Sequence, residues 1–144
     1  MSSSGGVLLD LLALEPWWRK HKTTWAVVKA ADTLSALHGQ HVYWVKECAF
    51  ERFWDIFFSF FKAFCILRKE KPDLIVSAGT GAAIAFYVLG KIFKITCFWI
   101  VTFNIIKEPG ISSKICSRFA DEILIQRRTL LKVFPKGVII GELY

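Results

Sequence analysis

The four cysteines, Cys48, Cys65, Cys97 and Cys116, are far apart in sequence and lack metal-ligand spacing. Without a CxxC or CxxH pair a zinc site is not expected, and nothing in the chain calls for a cofactor. Nor does a signal-peptide pattern open the chain, since Met1-Ser2-Ser3-Ser4-Gly5-Gly6 is polar. The expectation is therefore four reduced thiols in a cytosolic, mostly buried setting. No uncharged apolar run reaches the roughly 18 residues of a membrane span. Lysines and arginines are scattered, with no long basic run interleaved with aromatics, so nucleic acid is not an expected partner. A full GxGxxG with a downstream ribose-binding acid is also missing, which disfavours an ordinary dinucleotide binder.

What is present is an apolar chain with a basic balance. Hydrophobic residues make up 54% of the 144, and the formal net charge is +7. That combination predicts one domain with a proper core and a cationic surface, answered by anionic lipid or by nucleotide phosphate. Short apolar segments alternate with helical ones, which predicts an α/β fold: a mostly parallel sheet with helices on both faces. Strands are expected at Thr24–Val28, His41–Val45, Leu74–Ser77, Ile95–Val101, Glu122–Gln126 and Val138–Ile140. Helices are expected at Val7–Leu14, Asp32–Leu37, Glu51–Arg68, Ala82–Ile92, Ile111–Phe119 and Arg127–Val133. The stretch from Leu74 to Ile106 carries only Lys91 and Lys94 as charges, so a hairpin of short membrane spans is the competing reading there. Ser77, Gly79, Gly81 and Gly90 cut it at intervals better suited to short soluble elements.

The third strand is the most informative. Leu74-Ile75-Val76 runs into Ser77-Ala78-Gly79-Thr80-Gly81, and an apolar helix opens just after. Glycines there permit a sharp turn and close approach of a ligand, and a helix start presents free N–H groups to an anion. The same pattern also serves strand-to-helix turns that bind nothing.

The long helix is wider in its apolar arc than docking on one sheet requires. Glu51, Arg52, Asp55, Ser59 and Lys62 make one polar stripe, while Trp54, Phe57, Phe58 and Phe61 extend the apolar side. Either the helix is buried on two sides, or its second face meets a membrane or a partner. Trp17-Trp18-Arg19-Lys20 has the composition of an interfacial anchor, rings at headgroup level and cations toward anionic lipid. The alternative is a helix end with one tryptophan buried. His21, His38 and His41 fall away from the glycine loops and read as structural.

In order and spacing these pieces resemble the acceptor-side subunit of split glycosyltransferases, which includes PssD-type exopolysaccharide proteins. The resemblance is carried by Ser3-Ser4-Gly5-Gly6, by Leu12-Ala13-Leu14-Glu15-Pro16-Trp17-Trp18, and by Leu67 to Ser77 with Gly79 and Gly81. It continues through Lys107 to Lys114, Ala120-Asp121, Gln126, Pro135-Lys136 and Gly141-Glu142. The family looks like the N-terminal half of a GT-B glycosyltransferase such as MurG.

The resemblance implies a peripheral subunit on the cytoplasmic face of a membrane. A small UDP-sugar-binding subunit would be its partner and a polyprenyl-diphosphate-linked sugar its acceptor, in capsule or exopolysaccharide synthesis. It implies that Ser4, Gly5, Gly6, Ser77, Gly79, Thr80 and Gly81 line the acceptor and phosphate site. Trp17, Trp18, Arg19 and Lys20 would contact the membrane, and Trp54, Phe57, Phe58 and Phe61 a partner or the membrane.

Members usually carry a histidine after the Gly-Gly pair, an acid at the strand end matching Val101 and an arginine near Ile105. Val7, Val101 and Ile105 can neither take a proton nor pair with phosphate. The alternative is therefore a degenerate scaffold that only recruits the UDP-sugar-binding subunit, and no catalytic residue is named. Members also begin with a hydrophobic strand before the Ser-Gly-Gly loop, whereas Met1 stands almost directly before it here. A sheet whose first strand is missing, with two exposed ladder edges, is the expectation.

Overall fold

The computed structural model describes residues 1–3, 5–47, 53–102 and 110–141. Its helices are α1 (Gly6–Leu12), α2 (Glu15–Trp18), α3 (Ala31–Ala36), α4 (Phe53–Glu70), α5 (Ala83–Ile92) and α6 (Ile111–Phe119). Its strands are β1 (Trp25–Val28), β2 (Val42–Val45), β3 (Leu74–Ser77), β4 (Thr96–Val101), β5 (Glu122–Ile125) and β6 (Val138–Ile139). The segment expected as a last α-helix is a 3-10 helix, Arg128–Lys132, anchored by the buried Leu130 and by Phe134 just beyond it. The long helix runs two residues past its expected end. Lys71 then turns left-handed at φ 45°, and Pro72 stops further winding.

Every strand pair is parallel. The strands form two ladders, β1-β2 and β3-β4-β5-β6. The break between them falls between β1 and β3. Among the described residues, Met1–Ser3 carries the main-chain bonds to both edges. Ser2 forms a parallel bridge to Val27, its N–H reaching the Ala26 carbonyl at 3.3 Å while Val28 N–H reaches the Ser2 carbonyl at 3.3 Å. On the other side the Met1 amino group donates to the Val76 carbonyl, and Ser3 N–H reaches the Gly79 carbonyl at 3.2 Å.

The two-residue period of a strand divides the core into two layers. Ala26, Ile75, Cys97, Trp99 and Val101 point to the layer filled by α4, α5 and α6. Trp25, Val27 and Ile100 point to the layer that holds Leu8, Leu11 and Trp18. A sheet buried on both faces explains why its strands read as continuous apolar runs rather than alternating ones. Helix α5 sits close on the sheet through Gly90, where a Cβ would come 2.9 Å from Cys97 Sγ and 3.1 Å from Ile75 Cδ1. Tyr87 on the same helix is fully buried beside Trp99 and donates its hydroxyl to the Phe98 carbonyl.

Cys65, Cys97 and Cys116 are free thiols. Burial pushes Cys97 up to about 11 and Cys116 up to about 12, so both are inert structural groups.

Asp121 ties the start of β5 to β4 and α5. Its carboxylate accepts the Cys97 N–H at 2.8 Å and pairs with Lys91. The Lys91 contact, then the Cys97 N–H, hold its pKa below the ordinary carboxylate value. A carboxylate lowered in the folded state stabilises fully above the unfolded value near 4, and that stabilisation fades as pH falls through the folded one. Asp121→Asn is therefore expected to lower the unfolding midpoint at pH 7, with the gap to the parent closing toward pH 2. Thermal unfolding followed across that range by circular dichroism checks it.

Candidate functional site

The carboxyl ends of parallel strands are where α/β sheets gather ligands, because the strand-to-helix loops converge there. In this chain the loop before α1 and the loop after β3 meet at that edge. The Ser3 N–H to Gly79 carbonyl bond joins them, and Val7 packs on the glycine turn: a Cβ built on Gly79 would lie 3.6 Å from Val7 Cγ1. Gly79 has φ 138°, a conformation that L side chains resist, so the turn depends on glycine. Of the predicted site residues, Gly5, Gly6, Ser77, Gly79, Thr80 and Gly81 thus fall in one neighbourhood. Ser4 and Ile105 lie outside the described residues.

Both loops present backbone N–H groups, and both already hold an anion from the chain itself. Gly5 N–H donates to Asp32 Oδ2 at 2.6 Å. Gly81 N–H donates to Glu47 Oε1 at 3.1 Å, with the Thr80 hydroxyl 3.4 Å from the same oxygen. Asp32 is delivered by the start of α3, which Thr33 locks: its hydroxyl takes the Ala30 N–H at 2.9 Å and donates to the Val28 carbonyl at 2.9 Å. Glu47 follows β2. Neither contact has a local signature, since the partners lie 27 and 34 residues apart.

Below the loops, polar side chains are buried at the strand ends. Ser77, Thr102 and Gln126 close β3, β4 and β5. The Ser77 hydroxyl and both polar atoms of the Gln126 amide have no hydrogen-bond partner among the described residues. Buried polar groups of that kind cost stability unless something bonds them, and they mark this edge as built for more than packing. Gln126 was visible in the sequence as a matching piece; Thr102 was not. Val101 is fully buried in the core, so an acid placed there would be desolvated.

The other predicted surfaces resolve differently. Trp18 is not a membrane contact. It is only 8% exposed, its ring packs edge-on against Trp25 at 5.3 Å, and its Nε1–H donates to the Leu11 carbonyl at 3.1 Å. Neighbouring residues on a helix point about 100° apart, so one of the pair goes inward. Trp17 is 44% exposed and stacks near His21, while Arg19 pairs with Glu15 on the surface.

On α4, Ala63, Ile66 and Leu67 face the core. Trp54, Phe57, Phe58 and Phe61 are 75%, 64%, 63% and 61% exposed. The end of α5 adds the exposed Ile92, and Phe93 just past it lies with its ring 5.7 Å from that of Phe64. Among the described residues no helix is long and apolar enough to cross a membrane, and no group of three potential metal ligands occurs.

Removing the Asp32 carboxylate leaves the Gly5 N–H without its partner. Asp32→Ala is expected to cost about 1 kcal/mol, the net worth of one such bond at an exposed site. Denaturant unfolding measures it.

Residues 19–143 match the family described as oligosaccharide biosynthesis protein Alg14 like. Two curated relatives are UDP-N-acetylglucosamine–N-acetylmuramyl-(pentapeptide) pyrophosphoryl-undecaprenol N-acetylglucosamine transferases. That of Borreliella afzelii is 29% identical over 85 residues, covering 59% of this chain and 23% of the relative. That of Treponema denticola is 30% identical over 93 residues, covering 62% and 23%. The chain thus spans under a quarter of the length of these relatives. Among solved structures, Acinetobacter baumannii MurG superposes with a TM-score of 0.68 at 14% identity, over 88% of this chain and 41% of that one. The UDP-GlcNAc 2-epimerase of Methanocaldococcus jannaschii superposes at 0.69 and 14% identity, over 98% and 44%. The fold is therefore the Rossmann-like α/β arrangement of one half of such proteins, and by its sequence this chain belongs to the Alg14-like family.

Proposed function

We propose that this chain is the acceptor-side subunit of a two-chain GT-B glycosyltransferase. It works on the cytoplasmic face of a membrane and moves a sugar from a UDP-sugar to a polyprenyl-diphosphate-linked acceptor, in capsule or exopolysaccharide synthesis of the PssD type. A separate small subunit binds the UDP-sugar. The observation that carries this is the pairing of Alg14-like family membership with a fold that superposes on less than half of MurG.

The Ser4–Gly6 and Gly79–Gly81 loops, with Ser77 and Thr80, receive the acceptor diphosphate through backbone N–H groups. The aromatic face of α4 lies against lipid, with Lys62, Arg68 and Lys69 of the same helix near the headgroups. Trp17, Arg19 and Lys20 add a second contact.

A specific observation favours a second reading, a scaffold without chemistry of its own. Val7 packs on the glycine turn and Val101 is buried, and neither can carry a proton.

The deciding experiment co-expresses the chain with a small glycosyltransferase-like subunit and supplies labelled UDP-sugars with membranes holding lipid-linked acceptor. Transfer that needs both chains supports the first reading. A stable complex without transfer supports the scaffold, and no complex at all counts against both. The Val7→His variant separates them further: a large gain in transfer marks a degenerate native copy.

Membrane contact is tested by vesicle sedimentation with phosphatidylserine-containing liposomes. Phe57→Ser with Phe61→Ser is expected to weaken partitioning by at least about 100-fold, two aromatics being worth about 1.5–3 kcal/mol each when fully buried. Unchanged partitioning assigns the α4 face to the partner subunit instead.

A further inference from the structure

Helices α4 and α5 pack on each other and both end at the amino edge of the sheet, opposite the glycine loops. A groove of about 270 Å³ lies between those ends. Leu67, Arg68, Lys71 and Pro72 line one wall, and Phe93 and Ile95 the other. Four of these six residues are apolar, two are cations and none is an acid.

Acids close by in sequence serve other groups. Glu70 accepts the Tyr43 hydroxyl at 2.8 Å and the Thr24 hydroxyl at 3.2 Å, and lies 3.2 Å from His41 Nε2. Asp73 lines the space between the two ladders instead. Among the described residues, Arg68 and Lys71 form no ion pair. The groove also ends a longer stripe. Phe57, Phe61, Phe64 and Arg68 recur at spacings of four, three and four, so they stand in one row along α4, and Lys71 follows just past its end. All three rings are exposed. The Arg68 guanidinium lies over the Phe64 ring at 5.6 Å, and that ring is near Phe93 of the opposite wall. From Phe57 to Arg68 the helix rises about 16 Å, close to half of a bilayer's ~30 Å hydrocarbon core.

We propose that this groove and row hold one molecule of an anionic phospholipid. Its phosphate sits between Arg68 and Lys71, and one acyl chain lies along Phe64, Phe61 and Phe57. The inference rests on the membrane contact proposed above and names the lipid that this contact selects. A guanidinium and an ammonium three residues apart give phosphate oxygens charge-assisted hydrogen bonds. A zwitterionic headgroup brings a cation for which the groove has no carboxylate. The lining and the row offer no hydrogen-bonding side chain besides those two cations. That suits a hydrocarbon and leaves an extended peptide backbone unpaired.

The test titrates the intact chain with dioctanoyl phosphatidylglycerol, kept below its micelle concentration so that single molecules are read. Dioctanoyl phosphatidylcholine, dihexanoyl phosphatidylglycerol and the acidic peptide acetyl-Glu-Leu-Leu-Glu-Asp-Phe-Leu amide are the comparisons. Binding is read by calorimetry and by shifts of single backbone amides. The variant Arg68→Gln with Lys71→Asn removes both charges, asparagine being chosen because Lys71 has φ 45°. Its unfolding midpoint is compared with that of the parent to show that it folds.

Dioctanoyl phosphatidylglycerol is expected to bind one molecule per chain and to shift the amides of residues 67–71 and of Phe93. The phosphatidylcholine is expected to bind about 10-fold or more weakly, and the double variant to weaken the anionic lipid by a similar factor. The dihexanoyl lipid binds more weakly as well, since its chain covers less of the row. The proposal is overturned if binding does not saturate, if the two headgroups bind equally, or if the double variant binds like the parent. It is also overturned if the acidic peptide displaces the lipid and binds more tightly, which makes the groove a protein-docking site. Sugar transfer or vesicle sedimentation without binding of single lipids overturns this inference alone. Binding of single lipids without sedimentation upholds the groove and removes the membrane surface from the proposed function.

Discussion

The backbone bonds of Met1, Ser2 and Ser3 are the constraint on which the rest of the fold depends. They are what passes between the β1-β2 ladder and the β3-β6 ladder as main-chain pairing. A parallel ladder draws its strength from many equivalent bonds, and this one narrows to a few at its centre. Side chains take up the remainder. Ala26 shares a core layer with Ile75, and Val27 shares the other with Ile100, so each layer crosses the break. The same short segment sets the site, because Ser3 holds Gly79 and thereby aligns the two loops whose N–H groups face one another's neighbourhood.

Where the sequence was legible, periodicity and punctuation made it so. The Lys-Pro-Asp run before Leu74 and the small residues after Val76 framed β3 at its observed bounds, and α6 likewise began and ended as expected. What was not legible depends on contacts between distant positions. Asp32 and Glu47 look like ordinary surface acids until β1 and β2 bring their loops beside Gly5 and Gly81. Trp17 and Trp18 have the same composition and opposite fates, which only the orientation of α2 against Trp25 decides.

Width of an apolar arc proved ambiguous for a related reason. A helix with hydrophobic residues on about 200° of its surface satisfies two burial schemes equally well. Helix α4 uses Ala63, Ile66 and Leu67 for the sheet layer, and the larger rings of Trp54, Phe57, Phe58 and Phe61 are left outward. Ala63 suits the inward side because α4 also packs on α5, and close helix approach favours a small residue there. The big rings are therefore surplus to the core of this domain, and a patch of that size exposed to water costs free energy that a binding surface recovers.

The two carboxylates at the glycine loops bear directly on how such a site would take a diphosphate. An N–H group can serve an internal carboxylate or an incoming phosphate oxygen, and at Gly5 and Gly81 the carboxylate is there first. Placing phosphate beside Asp32 and Glu47 brings like charges together, so the loops become anion sites only if those side chains swing away. Both residues are solvent-exposed, which keeps that movement inexpensive. The resulting logic is competitive. The loops stay ordered by their own acids when empty, and a ligand must displace the acids to bind. On the proposed function, affinity for a diphosphate would then be the difference between two anions for the same N–H groups. That difference would be small unless cations from elsewhere join in, which a chain of net charge +7 is equipped to supply.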